Sequence, residues 1–300
     1  MWDIAVRVFA ALSMVGLAVA LAFCVRRRYP SWKPYRWGAL CFILSQVFHI
    51  PFNTFVLNPS FVALGWNLSE ERGLPLLLMS LALGLSAGVF EETARWLLYR
   101  TKFCNDQSYE LALLMGAGHG GCEAILAGWF ALMTLVGMAY LRAHPEALPS
   151  DDQAETVKKV LTDYWTASAF IVLLAPVERI FAMTFHLSAS VLVWQSFAQN
   201  SAWYFVAAVA FHAALDTTAV YLLISKGIIA VELVLLLTAF PLSLYILNYY
   251  RRRNQSTQAN DEGVSSEAAR ELALPTATEE GAVLMNASDD DTDLEQTPLA

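Results

Sequence analysis

Charged residues are scarce in this chain of 300 residues: Asp, Glu, Lys and Arg make up 15% of it, against about 25% in soluble domains. Hydrophobic residues make up 57%, and apolar runs repeatedly exceed the roughly 18 residues that cross a bilayer. This balance excludes an ordinary soluble domain, and with 27 acidic against 19 basic residues we expect no nucleic-acid partner. The sequence therefore predicts an all-α, multi-pass integral membrane protein in contact with the lipid bilayer.

Cysteine is scarce as well, and two common sequence signals are missing. The four cysteines lie mostly in or beside apolar segments, which argues against a disulfide framework. The first apolar run, Ile4 to Val25, ends in Arg26-Arg27-Arg28 with no basic segment before it, so we expect a span and not a signal peptide. No His-Glu-x-x-His helix is present, so the most familiar zinc-protease motif does not apply.

Seven segments are long and apolar enough to span the membrane: about 4–25, 37–58, 74–99, 107–141, 165–196, 203–224 and 228–249. The basic residues near 26–36, 100–102 and 251–253 all fall on one side of this arrangement. Because cytosolic loops carry an excess of Lys and Arg, that side is expected to be cytosolic. The sequence thus predicts an N-terminus outside and a C-terminus in the cytosol.

Acidic residues concentrate at the end of the chain. Residues 254–300 hold eleven Asp and Glu against one Arg, so the remaining 253 residues carry a net charge of +2. A segment of this composition cannot bury enough apolar surface to fold. We expect a seven-helix membrane domain over residues 1–250 and a disordered acidic cytosolic tail over residues 251–300.

Ionisable side chains interrupt spans three to six, over about residues 74–224. Such a group near the membrane centre costs about 2.5–3.5 kcal/mol on insertion scales, so it suggests a functional site by default. The candidates are Glu91, Glu92, Arg95, His119, Glu123, Glu178, Arg179, His186, His212 and Asp216. A rise of about 1.5 Å per residue places one or more groups of each span roughly 11 to 20 Å from its cytosolic end. Four consecutive helices therefore bring polar groups to one layer.

Helical spacing predicts some partners within this layer. His212 lies one turn from Asp216, and His119 lies one turn from Glu123, so Glu123 is expected to orient His119. Glu178 is expected to form a structural ion pair with Arg179, the next residue along the chain.

The two adjacent glutamates of span three are expected to differ in role. Glu91 and Glu92 lie about 100° apart around the helix axis, so one should point into the shared cavity. The other should pair with Arg95 or another arginine nearby.

These residue types suit two versions of peptide hydrolysis. A buried glutamate can act as general base for a water molecule, with imidazoles stabilising the oxyanion or protonating the leaving amine. Alternatively His119, His186 and His212 can hold a zinc ion, with the glutamate again as base. The residues leave both versions open.

Four motifs together resemble one known family. They are Glu91-Glu92-x-x-Arg95, Gly118-His119-Gly120-Gly121-x-Glu123, Glu178-Arg179 with Phe185-His186, and His212-x-x-x-Asp216. This set resembles the YhfC family of intramembrane metalloproteases, within the wider superfamily of CAAX prenyl endopeptidases, bacteriocin-processing enzymes, PrsW proteases and the APH subunit of gamma-secretase. The glutamates and the arginine are separated by two residues where CAAX proteases have three, so prenylated substrates are not implied.

The resemblance implies roles for single positions. The catalytic glutamate falls on Glu91 or Glu92, and the depth of Glu92 makes it the preferred base. The later histidines of the superfamily fall on His186 and His212, with Asp216 as the partner residue, and His119 is similar to an addition found in YhfC proteins.

The leading functional hypothesis is an intramembrane endopeptidase, with or without zinc, that cleaves a peptide or membrane-protein substrate near the cytosolic side. Two alternatives stay open on the residues alone. Buried Glu and His chains also build ion paths, so the chain can be a proton- or metal-coupled transporter. A polar layer can also lock helices together in a non-catalytic scaffold subunit.

The predicted orientation is open to a direct test. Truncation fusions to a fluorescent protein after Arg253 should fluoresce, because that protein folds in the cytosol. Fusions to alkaline phosphatase after Leu148 should be active, because that enzyme needs the outer compartment. The reverse pattern would overturn the orientation and leave the number of spans intact.

Overall fold

The computed structural model describes residues 2–106, 108–148 and 154–273, with side chains described up to residue 257. These residues form helices and no strand, as the sequence predicts. In chain order the helices are α1 (Trp2–Arg26), α2 (Lys33–Phe52), α3 (Asn58–Ala63), α4 (Gly73–Lys102), α5 (Tyr109–Ala143), α6 (Ala154–Thr166), α7 (Ala169–Ala198), α8 (Ala202–Lys226), α9 (Ile228–Val234) and α10 (Phe240–Ala273).

Within the part of the chain that the structure describes, seven helical segments are long and apolar enough to cross a membrane, which confirms the predicted number of spans. The second runs from Lys33 to Ala63 because a π-helical turn, Asn53–Leu57, joins α2 to α3 beyond Pro51. A second π-helical turn, Leu235–Ala239, joins α9 to α10 in the seventh span. Both spans are longer than predicted, because backbone hydrogen bonds continue the helix beyond the last residues of the apolar segment.

The chain divides into two compact units, residues 1–254 and 255–300. α10 continues to Ala273, so the described part of the predicted tail, 251–273, has helical backbone. Its Ala, Glu and Arg residues are good helix formers. Residues 274–300, the rest of the predicted disordered tail, lie outside the described residues.

Within the first unit, α5 packs against α1, α2 and α7, while α4 packs against α8. Glycines in α5 allow close approaches to α2 and α7. A Cβ atom on Gly118 would overlap the backbone carbonyl of Tyr35 on α2, and one on Gly120 would lie 3.0 Å from Cβ of His186 on α7. The backbones therefore pack closely on both sides of α5.

The short connections fix which helix ends lie together. α1, α4 and α7 end, and α2, α5 and α8 begin, at one end of the unit. We call it the basic end, because Arg26 to Arg28, Arg100 and Lys102 occur there. The opposite end holds the starts of α4, α7 and α9.

Replacing Gly118 by alanine should destabilise the protein, because the added Cβ meets backbone that only a helix shift can move. We expect a loss of about 1–3 kcal/mol of unfolding free energy in mixed micelles. The control is Gly137→Ala in the same helix, where the Cβ would meet no atom of the described residues within 4 Å. Equal stability of the two variants would contradict the close packing of α5 on α2.

Candidate metal centre

The structure brings predicted polar groups of α4, α5, α7 and α8 into one buried layer. The ring centroids of His119 and His186 lie 4.7 Å apart, and those of His186 and His212 lie 5.7 Å apart. All three histidines are at most 3% exposed. The matched depth expected from the sequence therefore corresponds to direct contact between the three rings.

Glu91 faces this group of histidines. Its Oε2 accepts a hydrogen bond from Nε2 of His119 at 2.9 Å and lies 3.8 Å from Nε2 of His212. Glu91, His119 and His186 each offer a ligand atom within 4.8 Å of the other two. They are the members of the layer that come together at metal-binding distances among the described residues.

Glu92 points elsewhere and is occupied on both oxygens. Oε2 is paired with Arg95, and Oε1 lies 2.8 Å from Nδ1 of His212. A carboxylate paired with a guanidinium only accepts hydrogen bonds, so Nδ1 of His212 carries a proton, and in the neutral imidazole Nε2 then carries the lone pair. This lone pair faces Glu91 and Asp216, whose Oδ2 lies 3.7 Å away.

Glu123 does not orient His119, which corrects the expectation from helical spacing. Its Oε2 lies 2.6 Å from Nε2 of His186, and its Oε1 lies 2.5 Å from Nη1 of Arg179. Helical spacing identifies the face of α5 that carries Glu123, whereas the neighbouring helix decides the partner: α7 approaches closely at Gly120. The expected ion pair of Arg179 with Glu178 is present.

A cavity of about 140 Å³ leads away from this layer between α7, α8 and the α9 segment. From His186 to Glu178 it follows α7 for eight residues, about 12 Å, toward the end opposite to the basic end. The side chains of Glu178 and Asp216 are 32% and 34% exposed, which fits carboxylates lining a water-filled space.

The donor atoms suit a divalent metal ion. One carboxylate oxygen and two imidazole nitrogens form the His₂Glu set that catalytic zinc uses. Nε2 of His119 lies 2.9 Å from Oε2 of Glu91, so it is the ring nitrogen that can share an ion with this carboxylate. Binding there places the ring proton on Nδ1, because a coordinated imidazole nitrogen carries no hydrogen.

Sequence reasoning missed a set of polar residues on α2 and α4 beside the layer. Gln46 donates from Nε2 to Oε1 of Glu91 at 2.8 Å, and His49 contacts Gln46 on one side and Ser86 on the other. The spacing of Gln46, His49 and Asn53 along one face of the second span was the available signal.

Comparisons with known proteins agree with the motifs. The family described as YhfC intramembrane metalloprotease matches residues 10–238. A curated relative, described as uncharacterized membrane protein YhfC of Bacillus subtilis (strain 168), is 27% identical over 238 residues, which cover 76% of this chain and 89% of the relative. No solved structure gives a significant match.

Removing the Arg95 side chain should strongly destabilise the protein, because it leaves the carboxylate of Glu92 buried and without its cation. We expect Arg95→Met to cost about 3–5 kcal/mol of unfolding free energy in mixed micelles, and Glu92→Gln in the same chain to recover part of it. The control is Lys159→Met, which breaks an exposed pair with Asp163 and should cost under about 0.5 kcal/mol. Additive effects of the two site substitutions would contradict the pairing.

Proposed function

The chain belongs to the YhfC intramembrane metalloprotease family, and we propose that it is a metal-dependent endopeptidase that hydrolyses a peptide bond within the membrane. The observation that carries the proposal is the buried group of Glu91, His119 and His186, whose ligand atoms lie within 4.8 Å of one another. Two of these residues, Glu91 and His186, line the inner end of the cavity described above.

In this proposal Glu91, His119 and His186 hold the metal ion, which is zinc given the donor set. The ion supplies a Lewis acid for the scissile carbonyl and an acidified water as nucleophile. His119 contributes Nε2, the ring nitrogen that faces Glu91. Both nitrogens of His186 have partners, Nδ1 with Nη2 of Arg95 at 3.3 Å and Nε2 with Oε2 of Glu123 at 2.6 Å, so metal binding by His186 replaces one of these contacts.

His212 and Asp216 move the proton. The lone pair on Nε2 of His212 faces the cavity, where it takes a proton from the attacking water and returns it to the leaving amine. Asp216 lies 3.7 Å from that nitrogen, so its carboxylate stabilises the protonated imidazole.

Glu92 is a positioning residue in this proposal and not the base that the sequence favours. Both of its oxygens are engaged, one by Arg95 and one by His212. Through these contacts Glu92 fixes the tautomer and orientation of His212, as a carboxylate behind a histidine does in many metal sites.

The substrate is a peptide or a membrane protein, and we propose that it enters from the end opposite to the basic end. The cavity supports this direction, because it leads from the layer toward the start of α7. If the basic end is cytosolic, the substrate reaches the layer from the outer side of the membrane.

Zinc content and cleavage, measured together, test this assignment. Protein reconstituted in liposomes is incubated with a pool of model transmembrane peptides, and mass spectrometry identifies the fragments. We expect Glu91→Gln to lose both zinc and cleavage, and Asp216→Asn to keep zinc while cleavage falls by about 10²- to 10⁴-fold. Glu232→Gln, the same change at a buried carboxylate of α9 outside the layer, should keep both.

Three results would contradict the proposal. Cleavage by Glu91→Gln protein at the wild-type rate removes the metal ligand from the mechanism. Metal or proton flux through wild-type liposomes without any cleavage indicates a transporter. Loss of assembly with a co-purifying partner in every layer variant, again without cleavage, indicates a scaffold subunit.

A further inference from the structure

The carboxylate of Glu91 is held from two sides. Its Oε2 faces His119 and His212, whereas its Oε1 accepts a hydrogen bond from Nε2 of Gln46 on α2 at 2.8 Å. Gln46 thus engages the oxygen that is turned away from the histidines. Rotation of the carboxylate would break this bond together with the one to His119.

The amide of Gln46 has a defined orientation. Because the nitrogen must face the carboxylate of Glu91, its Oε1 faces Nδ1 of His49 at 3.3 Å. His49 therefore donates from Nδ1, and its Nε2 accepts from Nδ2 of Asn53 at 3.0 Å. The donors and acceptors are consistent along the whole sequence of bonds.

Ser86 completes this set of hydrogen-bonded side chains. Its hydroxyl donates to Oδ1 of Asn53 at 2.9 Å, which turns Nδ2 of the same amide toward His49. His49 also stacks on the ring of Phe90, with centroids 5.8 Å apart. We name Gln46, His49, Asn53 and Ser86 the α2 polar row.

Ser86 and His49 also have the spacing of a nucleophile and its base, with Oγ 3.1 Å from Nε2, in a Gly84-Leu85-Ser86-Ala87-Gly88 segment. The surroundings oppose that role. Ser86 is 6% exposed in the middle of α4, and its hydroxyl is within bonding distance of the carbonyl oxygens of Leu83 and Asn53. Neither of these acceptors can act as a base for a serine nucleophile.

We infer that Gln46, backed by the rest of the α2 polar row, is a positioning residue that fixes the orientation of the Glu91 carboxylate. The inference deepens the proposed function and rests on it, because holding Oε1 of Glu91 keeps Oε2 directed toward the histidines. A polar row in a membrane span is expensive, and a row whose groups are satisfied in one arrangement holds that arrangement firmly. The carboxylate is thereby oriented before the metal binds.

The test compares apoprotein variants in detergent. Gln46→Leu keeps the size of the side chain and removes the donor, and Gln46→Glu keeps the shape and replaces the donor by an acceptor. We expect both to raise the zinc dissociation constant about 10- to 100-fold and to change the visible spectrum of the cobalt-loaded protein. Gln195→Leu on α7, the same change at another buried glutamine, should change neither.

The outcomes separate this inference from the proposed function. If wild-type protein binds zinc and Gln46→Leu binds it equally well with the same cobalt spectrum, the inference is wrong and the metal site stands. If wild-type protein binds no metal, the proposed function fails, and thermal unfolding of Gln46→Leu, Glu91→Leu and the double variant decides the inference. Non-additive effects then support the contact that holds Glu91, and additive effects overturn it.

Discussion

The cost of a buried charge governs the centre of this bundle. A carboxylate or guanidinium inside the membrane must be paired or hydrogen-bonded, and two arginines meet that demand for particular glutamates. Arg95 pairs with Glu92, and Arg179 pairs with Glu123. Glu91, by contrast, contacts two histidines and an amide. The negative charge of Glu91 is the one that a divalent cation in the layer would balance.

Close helix packing makes this centre possible. Gly118 brings α5 against α2, and Gly120 brings it against the ring of His186 on α7. The histidines of α5 and α7 therefore meet with their ring centroids 4.7 Å apart. Larger residues at these positions would separate the helices that carry the ligands.

The two adjacent glutamates have different contacts because of helix geometry. Glu91 and Glu92 differ by about 100° around α4, so they face different neighbours. Glu92 meets Arg95 and His212, and through them it determines which nitrogen of His212 is free. Glu91 meets the ligand histidine on one side and the α2 polar row on the other.

The number of spans and the polar layer follow from local sequence, because apolar length and helical rise are local properties. The partner of each polar side chain, by contrast, depends on how the helices pack. Spacing along α5 places Glu123 beneath His119, but the approach of α7 gives Glu123 to His186 instead. Spacing along α4 likewise leaves open which glutamate faces the histidines. The role of the second span cannot be predicted from that span alone, because Gln46 contacts Glu91 only when α2 packs beside α4.

The central claim is that Glu91 and two histidines bind one metal ion. X-ray absorption at the zinc edge of the purified protein measures the ligands directly. We predict a first shell of oxygen and nitrogen together with the outer-shell scattering of two imidazoles. In His119→Ala the scattering of one imidazole should be lost. A protein without zinc, or a first shell containing sulfur from one of the four cysteines, would contradict it.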